Sequence, residues 1–174
     1  MTTPEQLKHY VRNVPGYPQP GVIFRDITPL LGRKELFREV VDLMSKAWSG
    51  RPPDLVAAIE ARGFIPGAAM AVKLNAGFVP IRKTGKLPWK TISEGYQLEY
   101  GTDQLEVHSD AVEAGQKVLI VDDVLATGGT AAAAIRLIRK LGGEVIGVQV
   151  LIELEDLGGR KRLPDVEVVS EIIY

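Results

Sequence analysis

Val118-Leu119-Ile120-Val121-Asp122-Asp123-Val124-Leu125-Ala126-Thr127-Gly128-Gly129-Thr130 sets how the rest of the chain is read. Four apolar residues predict a buried strand. Two adjacent carboxylates stand at its C-terminal end, and a Thr-Gly-Gly-Thr turn opens a helix. In open α/β sheets, ligands bind beyond the C-terminal ends of strands. A glycine turn entering a helix offers free backbone N–H groups at the positive end of the dipole, which suits an anion and most naturally phosphate. Gly128 and Gly129 let the backbone approach that ligand closely, and the hydroxyls of Thr127 and Thr130 can donate to its oxygens. The segment lacks the Gly-Lys-Ser/Thr of a P-loop, and it is not a GxGxxG dinucleotide site. Carboxylates repel phosphate, so Asp122 and Asp123 are expected to face a hydroxyl-bearing part of the ligand. The 2′- and 3′-hydroxyls of ribose fit that need, and a magnesium ion nearby is a further option.

Outward from this segment, strands and helices alternate. Helix Thr130 to Leu141 puts Ala131, Ala134, Ile135, Ile138 and Leu141 on one face and stops at Gly142-Gly143. Strands are predicted at Leu55–Ile59, Phe78–Ile81, Lys117–Val124, Val145–Ile152 and Val166–Val169. Helices are predicted at Glu35–Trp48 and Gly67–Leu74. This order predicts an α/β fold with a mostly parallel twisted sheet flanked by helices and right-handed crossovers. Near the start, Thr3 to Val11 reads as a short helix with Thr3 as N-cap and Pro4 at the first helical position. Pro15 to Gly21 breaks regular structure, and Val22 to Ile27 reads as a short strand or ordered loop. Arg82 to Tyr96 carries Arg82, Lys83, Lys86 and Lys90, has no acid before Glu94, and contains Gly85, Pro88 and Gly95. It predicts a mobile loop. Tyr96 to Val107 reads as a hairpin. No exposed apolar helix is obvious.

Composition narrows the function classes. The chain has 174 residues, with 21 Lys plus Arg against 22 Asp plus Glu, a net charge of −1. That balance gives no global field for a nucleic acid or a membrane surface. The absence of cysteine excludes disulfides, thiol catalysis and Cys-ligated metals. His9 and His108 are far apart and make no histidine metal site. The first twenty residues hold Glu5, Lys8, Arg12 and several prolines, and no apolar run reaches signal-peptide or membrane-span length. The expected location is the cytoplasm.

Five segments resemble the adenine phosphoribosyltransferases of the type I phosphoribosyltransferase family in type and order. They are Gly21 to Pro29, Ala61-Arg62-Gly63-Phe64, Ile81 to Pro88, Leu98-Glu99-Tyr100-Gly101 and Asp122 to Thr130. The resemblance runs from about Val11 to Tyr174. It implies one domain over 1–174, with an N-terminal hood at about 1–34, a core at about 35–174 and a flexible loop. It implies transfer of the phosphoribosyl group of phosphoribosyl diphosphate (PRPP) to adenine, giving AMP and pyrophosphate.

By this resemblance, Ala126, Thr127, Gly128, Gly129 and Thr130 hold the 5-phosphate, and Asp122 and Asp123 the ribose hydroxyls. Arg62 meets the pyrophosphate, where its planar fork suits a multiply charged anion. Arg82, Lys83 and Lys86 form the base of a cationic flap. Ile23, Phe24 and Arg25 form a hood over adenine, with Phe24 stacking and the backbone of Ile23 and Arg25 reading the purine edge. Leu154 closes the other face. Glu99 and Arg82 are the candidate catalytic residues, Glu99 as acid/base, and Tyr100 binds near the ribose. Mg2+ is expected on the substrate through PRPP and water, with no protein metal ligands. The resemblance also implies a homodimer, with no nucleic-acid or membrane partner. The chain departs from the pattern at Trp89-Lys90, where the family often has a small or polar residue after Leu-Pro. The runner-up readings are a transferase for hypoxanthine, guanine or xanthine, and a non-catalytic PRPP-binding regulator.

Overall fold

A computed structural model describes residues 3–97 and 102–174. Thr3 caps α1 (Pro4–Lys8) as predicted. Its hydroxyl accepts from the Gln6 N–H, and the Gln6 side chain returns to the Thr3 backbone. The helix ends at Lys8, short of Val11, because the chain turns into β1 (Arg12–Pro15). That strand pairs antiparallel with β2 (Ile23–Asp26) in a separate two-stranded ribbon. The short α2 (Thr28–Leu31) follows, and Asp26 fixes its start by accepting from the Thr28 N–H and hydroxyl at 2.9 and 2.8 Å.

The core then alternates. It runs α3 (Lys34–Lys46), β3 (Leu55–Ile59), α4 (Phe64–Lys73), β4 (Gly77–Lys83), β5 (Thr91–Gln97), β6 (Thr102–His108), β7 (Lys117–Leu125), α5 (Gly129–Lys140), β8 (Glu144–Glu153) and β9 (Val168–Ile173). Seven strands form one sheet in the order β5-β6-β4-β3-β7-β8-β9. The β4-β3-β7-β8-β9 stretch is parallel, and β6 and β5 are added antiparallel at one edge.

Both faces of the central strands are covered, which is why they read as continuous apolar runs. Alternate residues serve the two sides. Ala57, Ile59, Val118 and Ile120 pack with the α5 residues Ala134, Ile135 and Ile138. Val56, Ala58, Leu119 and Val121 pack with Val40 and Met44 of α3 and Met70 of α4.

Three expectations need correction. The basic segment from Arg82 to Tyr96 is mostly strand. Arg82 and Lys83 belong to β4, opposite Glu106 and Leu105, and Thr91 onward forms β5. Ile92 and Tyr96 pack on the core, so alternate apolar positions outweighed the local glycines and charge. Helix α4 begins at Phe64 rather than Gly67. It also carries an exposed apolar stripe, Ile65, Ala68 and Val72, beside the partly exposed Phe78 of β4. No helix among the described residues is long and apolar enough to cross a membrane.

Candidate active site

β7 delivers Asp122 and Asp123 to the C-terminal edge of the sheet, and Ala126 to Gly128 bridge to α5. Gly128 adopts φ +80°, a conformation that needs glycine. It is also pressed from outside, because a Cβ there would run into the Gly159 carbonyl, and one on Gly159 would run into that of Ala126. The turn Gly159–Arg162 therefore backs the glycine loop. That turn is fixed by Arg160, which pairs with the buried Glu153 through Nε (3.0 Å) and Nη2 (2.5 Å). Ser170 donates to the same carboxylate at 2.6 Å. Hydrogen bonding from Arg160 holds the Glu153 carboxyl below its ordinary range. No acid sits in the first turn of α5, so the positive end of its dipole is uncancelled from within.

Asp122 and Asp123 differ. Burial, and then the charge of Asp123, hold the Asp122 carboxyl well above the usual carboxylate range. The Asp123 N–H donates to Asp122 Oδ1 at 2.8 Å and pulls the other way. Asp123 is ion-paired with Arg62, whose Nε donates to its Oδ2. Arg62 comes from the Ala61–Gly63 turn after β3. Gly63 lies so near the carboxylates that an added Cβ would sit 2.9 Å from Asp122 Oδ1.

The same Arg62 reaches the β1–β2 ribbon, with its guanidinium carbon 4.4 Å from the centre of the Phe24 ring. Tyr17 meets Phe24 edge-on at 5.2 Å. Leu154 follows β8, and its N–H donates to the Leu125 carbonyl at 2.9 Å. Arg62 thus links the Asp123 end of β7 to Phe24 of the β1–β2 ribbon.

Arg82 and Lys83 meet carboxylates. Arg82 Nε donates to Glu60 Oε2 at 2.9 Å, and the Lys83 N–H to Glu60 Oε1 at 2.6 Å. Lys83 Nζ lies 2.9 Å from Asp103, whose hydrogen bond raises the lysine pKa. Lys86 and Leu87 donate backbone N–H groups to the buried Glu106 at 3.1 and 3.2 Å. That carboxylate also accepts from the Thr91 hydroxyl at 3.3 Å. Sequence reasoning missed Glu60, Asp103, Glu106, Glu153, Gly159 and Arg160. Glu60 stood next to the Arg62 turn and Gly159 in a Gly-Gly-Arg turn, but neither signal names its partner. Glu99 and Tyr100 lie outside the described residues. Beside the glycine loop, Gly129, Tyr96, Asp103, Arg136 and Arg162 border a cavity of about 660 Å³.

The comparisons with known proteins agree with this geometry. The phosphoribosyl transferase domain family matches residues 29–174. A curated adenine phosphoribosyltransferase of Thermotoga maritima is 61% identical over 168 residues, covering 97% of each chain. This chain belongs to the adenine phosphoribosyltransferase family. A family member from Thermobifida fusca is 57% identical over 92% of each chain. Among solved structures, the family enzyme of Thermoanaerobacter pseudethanolicus superposes with a TM-score of 0.96 at 49% identity. That match covers 99% of this chain and 100% of the other. The Saccharomyces cerevisiae enzyme, solved with an imino-altritol bisphosphate and adenine, gives 0.91 at 35% identity, covering 97% and 98%. These two structures cover the β1–β2 ribbon as well as the large sheet.

Proposed function

We propose that this adenine phosphoribosyltransferase family member joins adenine to PRPP, giving AMP and pyrophosphate, within one catalytic domain of hood (about 1–34) and core (about 35–174). The observation that carries the reading is Arg62, which spans from the ribose-facing carboxylate Asp123 to the aromatic hood residue Phe24. An anion cradle and a flat aromatic slot are thereby set one arginine apart.

In this reading the backbone of Ala126 to Thr130 and the α5 dipole hold the 5-phosphate. Asp122 and Asp123 accept from the ribose hydroxyls. Arg62 exchanges Asp123 for the pyrophosphate, and Arg82 and Lys83 at the end of β4, with Lys86 in the turn after it, supply further positive charge to that group. Adenine lies under Phe24, edge to the backbone of Ile23 and Arg25, with Leu154 on its other face. Its N9 attacks the anomeric carbon as the bond to pyrophosphate breaks with its electron pair, through an oxocarbenium-like state. Glu99 takes the ring proton, and Tyr100 binds near the sugar. Magnesium, where PRPP carries it in, would supply charge neutralisation on the leaving group. Among the described residues no group of three or more His, Asp or Glu could hold a metal. Two carboxylates at a strand end suit an ion brought by substrate phosphates.

The proposed setting is a cytoplasmic homodimer. Ile65, Ala68, Val72 and Phe78 offer an apolar surface for a second copy, and light scattering after gel filtration reads that state. The reaction is tested by a purine panel. Protein, PRPP and magnesium are incubated separately with adenine, hypoxanthine, guanine and xanthine. AMP alone is expected, whereas IMP, GMP or XMP would overturn the hood assignment. PRPP binding with no product from any base would favour the regulator.

A further inference from the structure

Tyr174 follows β9 and was assigned no role above. Its N–H donates to the Glu153 carbonyl and its backbone oxygen accepts from the Glu155 N–H, both at 2.9 Å. These two bonds straddle Leu154, the proposed floor of the base slot. On its other side the Tyr174 ring carries the Arg25 guanidinium, 3.9 Å from the ring centre. The Lys8 ammonium lies 5.3 Å from the same centre. Arg25 belongs to the hood that covers the opposite face of the base. Its Nη1 donates to Asn13 Oδ1 at 2.5 Å, while its buried Nε has no hydrogen-bond partner among the described residues. The ring is therefore a principal support of the half-buried Arg25 side chain.

We infer that Tyr174 is a positioning residue for the purine: its ring fixes the hood through Arg25 while its backbone fixes Leu154, so that one residue sets the separation of the two walls of the slot. The inference rests on the proposed adenine site. A slot that reads a flat base through backbone groups and one stacked ring tolerates little displacement of either wall. The phosphate cradle has its own supports in Gly159 and Arg160, so Tyr174 acts on adenine and leaves PRPP alone.

The test is steady-state kinetics on the full chain, with thermal unfolding of each variant. Tyr174→Ala keeps the backbone bonds around Leu154 and takes the ring away from Arg25, Lys8 and the core beneath it. The KM for adenine is expected to rise about tenfold, with kcat and the KM for PRPP within about twofold. Tyr174→Phe keeps the ring and should restore the adenine KM. Arg25→Met should match Tyr174→Ala, and the double variant should be no worse than either single one, because both remove one contact. Arg25→Met also serves if Tyr174→Ala fails to fold. An unchanged adenine KM in Tyr174→Ala overturns the inference, as do equal rises for both substrates, a Phe variant as poor as Ala, or additive single effects. If the wild type forms AMP and these variants behave as wild type, the inference alone falls. If the wild type forms no AMP, the adenine reading falls and takes the inference with it.

Discussion

The proposed phosphate cradle is one unbroken run, Ala126 to Thr130, held between β7 and α5. The proposed base slot takes Phe24 and Arg25 from a ribbon near the start of the chain, Arg62 from the turn after β3, Leu154 from the end of β8 and Tyr174 from beyond β9. The cradle's geometry is local, since a positive-φ glycine, a helix N-terminus and a strand end suffice to define it. The slot has no local definition. Its width depends on how a small separate sheet docks on a large one, and on single side chains that cross between them. Damage to the cradle should therefore cost stability and PRPP together, whereas damage to the slot should cost adenine with the fold intact.

The strongest way to break this comparison is Gly128→Ala. The added Cβ meets the Gly159 carbonyl in a left-handed conformation. The expected loss is about 2–4 kcal/mol of stability, with more than a hundredfold fall in kcat/KM for PRPP. Calorimetry and kinetics on the same preparation read both. A variant that keeps its Tm and its PRPP affinity would show that the cradle is not locally determined.

Phe24→Ala probes the slot. Stacking on a base is worth about 1–3 kcal/mol, so kcat/KM for adenine should fall about tenfold to hundredfold. Tm and the KM for PRPP should hardly move. An equal loss for both substrates would mean that the Arg62 contact fuses the two regions into one.

Glu153→Gln sharpens the comparison, because Glu153 lies under both regions. Its pKa is depressed in the folded state, chiefly by Arg160. It therefore contributes stability above its unfolded value of 4.5, and that stability is lost as pH falls through the native value. The variant should lose about 1–2 kcal/mol at neutral pH and show a flatter acid limb. Urea unfolding across pH 3 to 7 measures this, and an unchanged acid limb would remove Glu153 from the account.

Asp122→Asn should shift stability modestly, and with the opposite sign. The Asp122 carboxyl is raised by burial and by Asp123, so its contribution to stability is greatest at low pH and declines as pH rises from 3.8 toward the native value. Asparagine can still accept from the Asp123 N–H and removes the like charge. Tm at neutral pH should rise by a few degrees while PRPP binds severalfold more weakly. A fall in Tm would show that the carboxylate pair is supported in ways its surroundings do not reveal.

The sequence by itself determined the α/β alternation, the buried central strands and the cradle, because each follows from short-range periodicity or from glycines beside a helix start. It also carried Arg62 and Phe24 as segments of a recognisable pattern. Tertiary structure alone decided that the basic segment after Arg82 folds mostly into β4 and β5, since pairing with β6 and burial of Ile92 and Tyr96 outweigh local loop chemistry. It alone supplied the carboxylates Glu60 and Asp103 that pair with Arg82 and Lys83, Glu106 that accepts from the Lys86 backbone, the Gly159 turn behind the glycine loop, and the Tyr174 ring under Arg25. The reason is one of range. A turn or a strand is set by neighbours along the chain, whereas an ion pair or a stacked ring is set by how distant segments dock, and spacing in the sequence does not encode which of them meet.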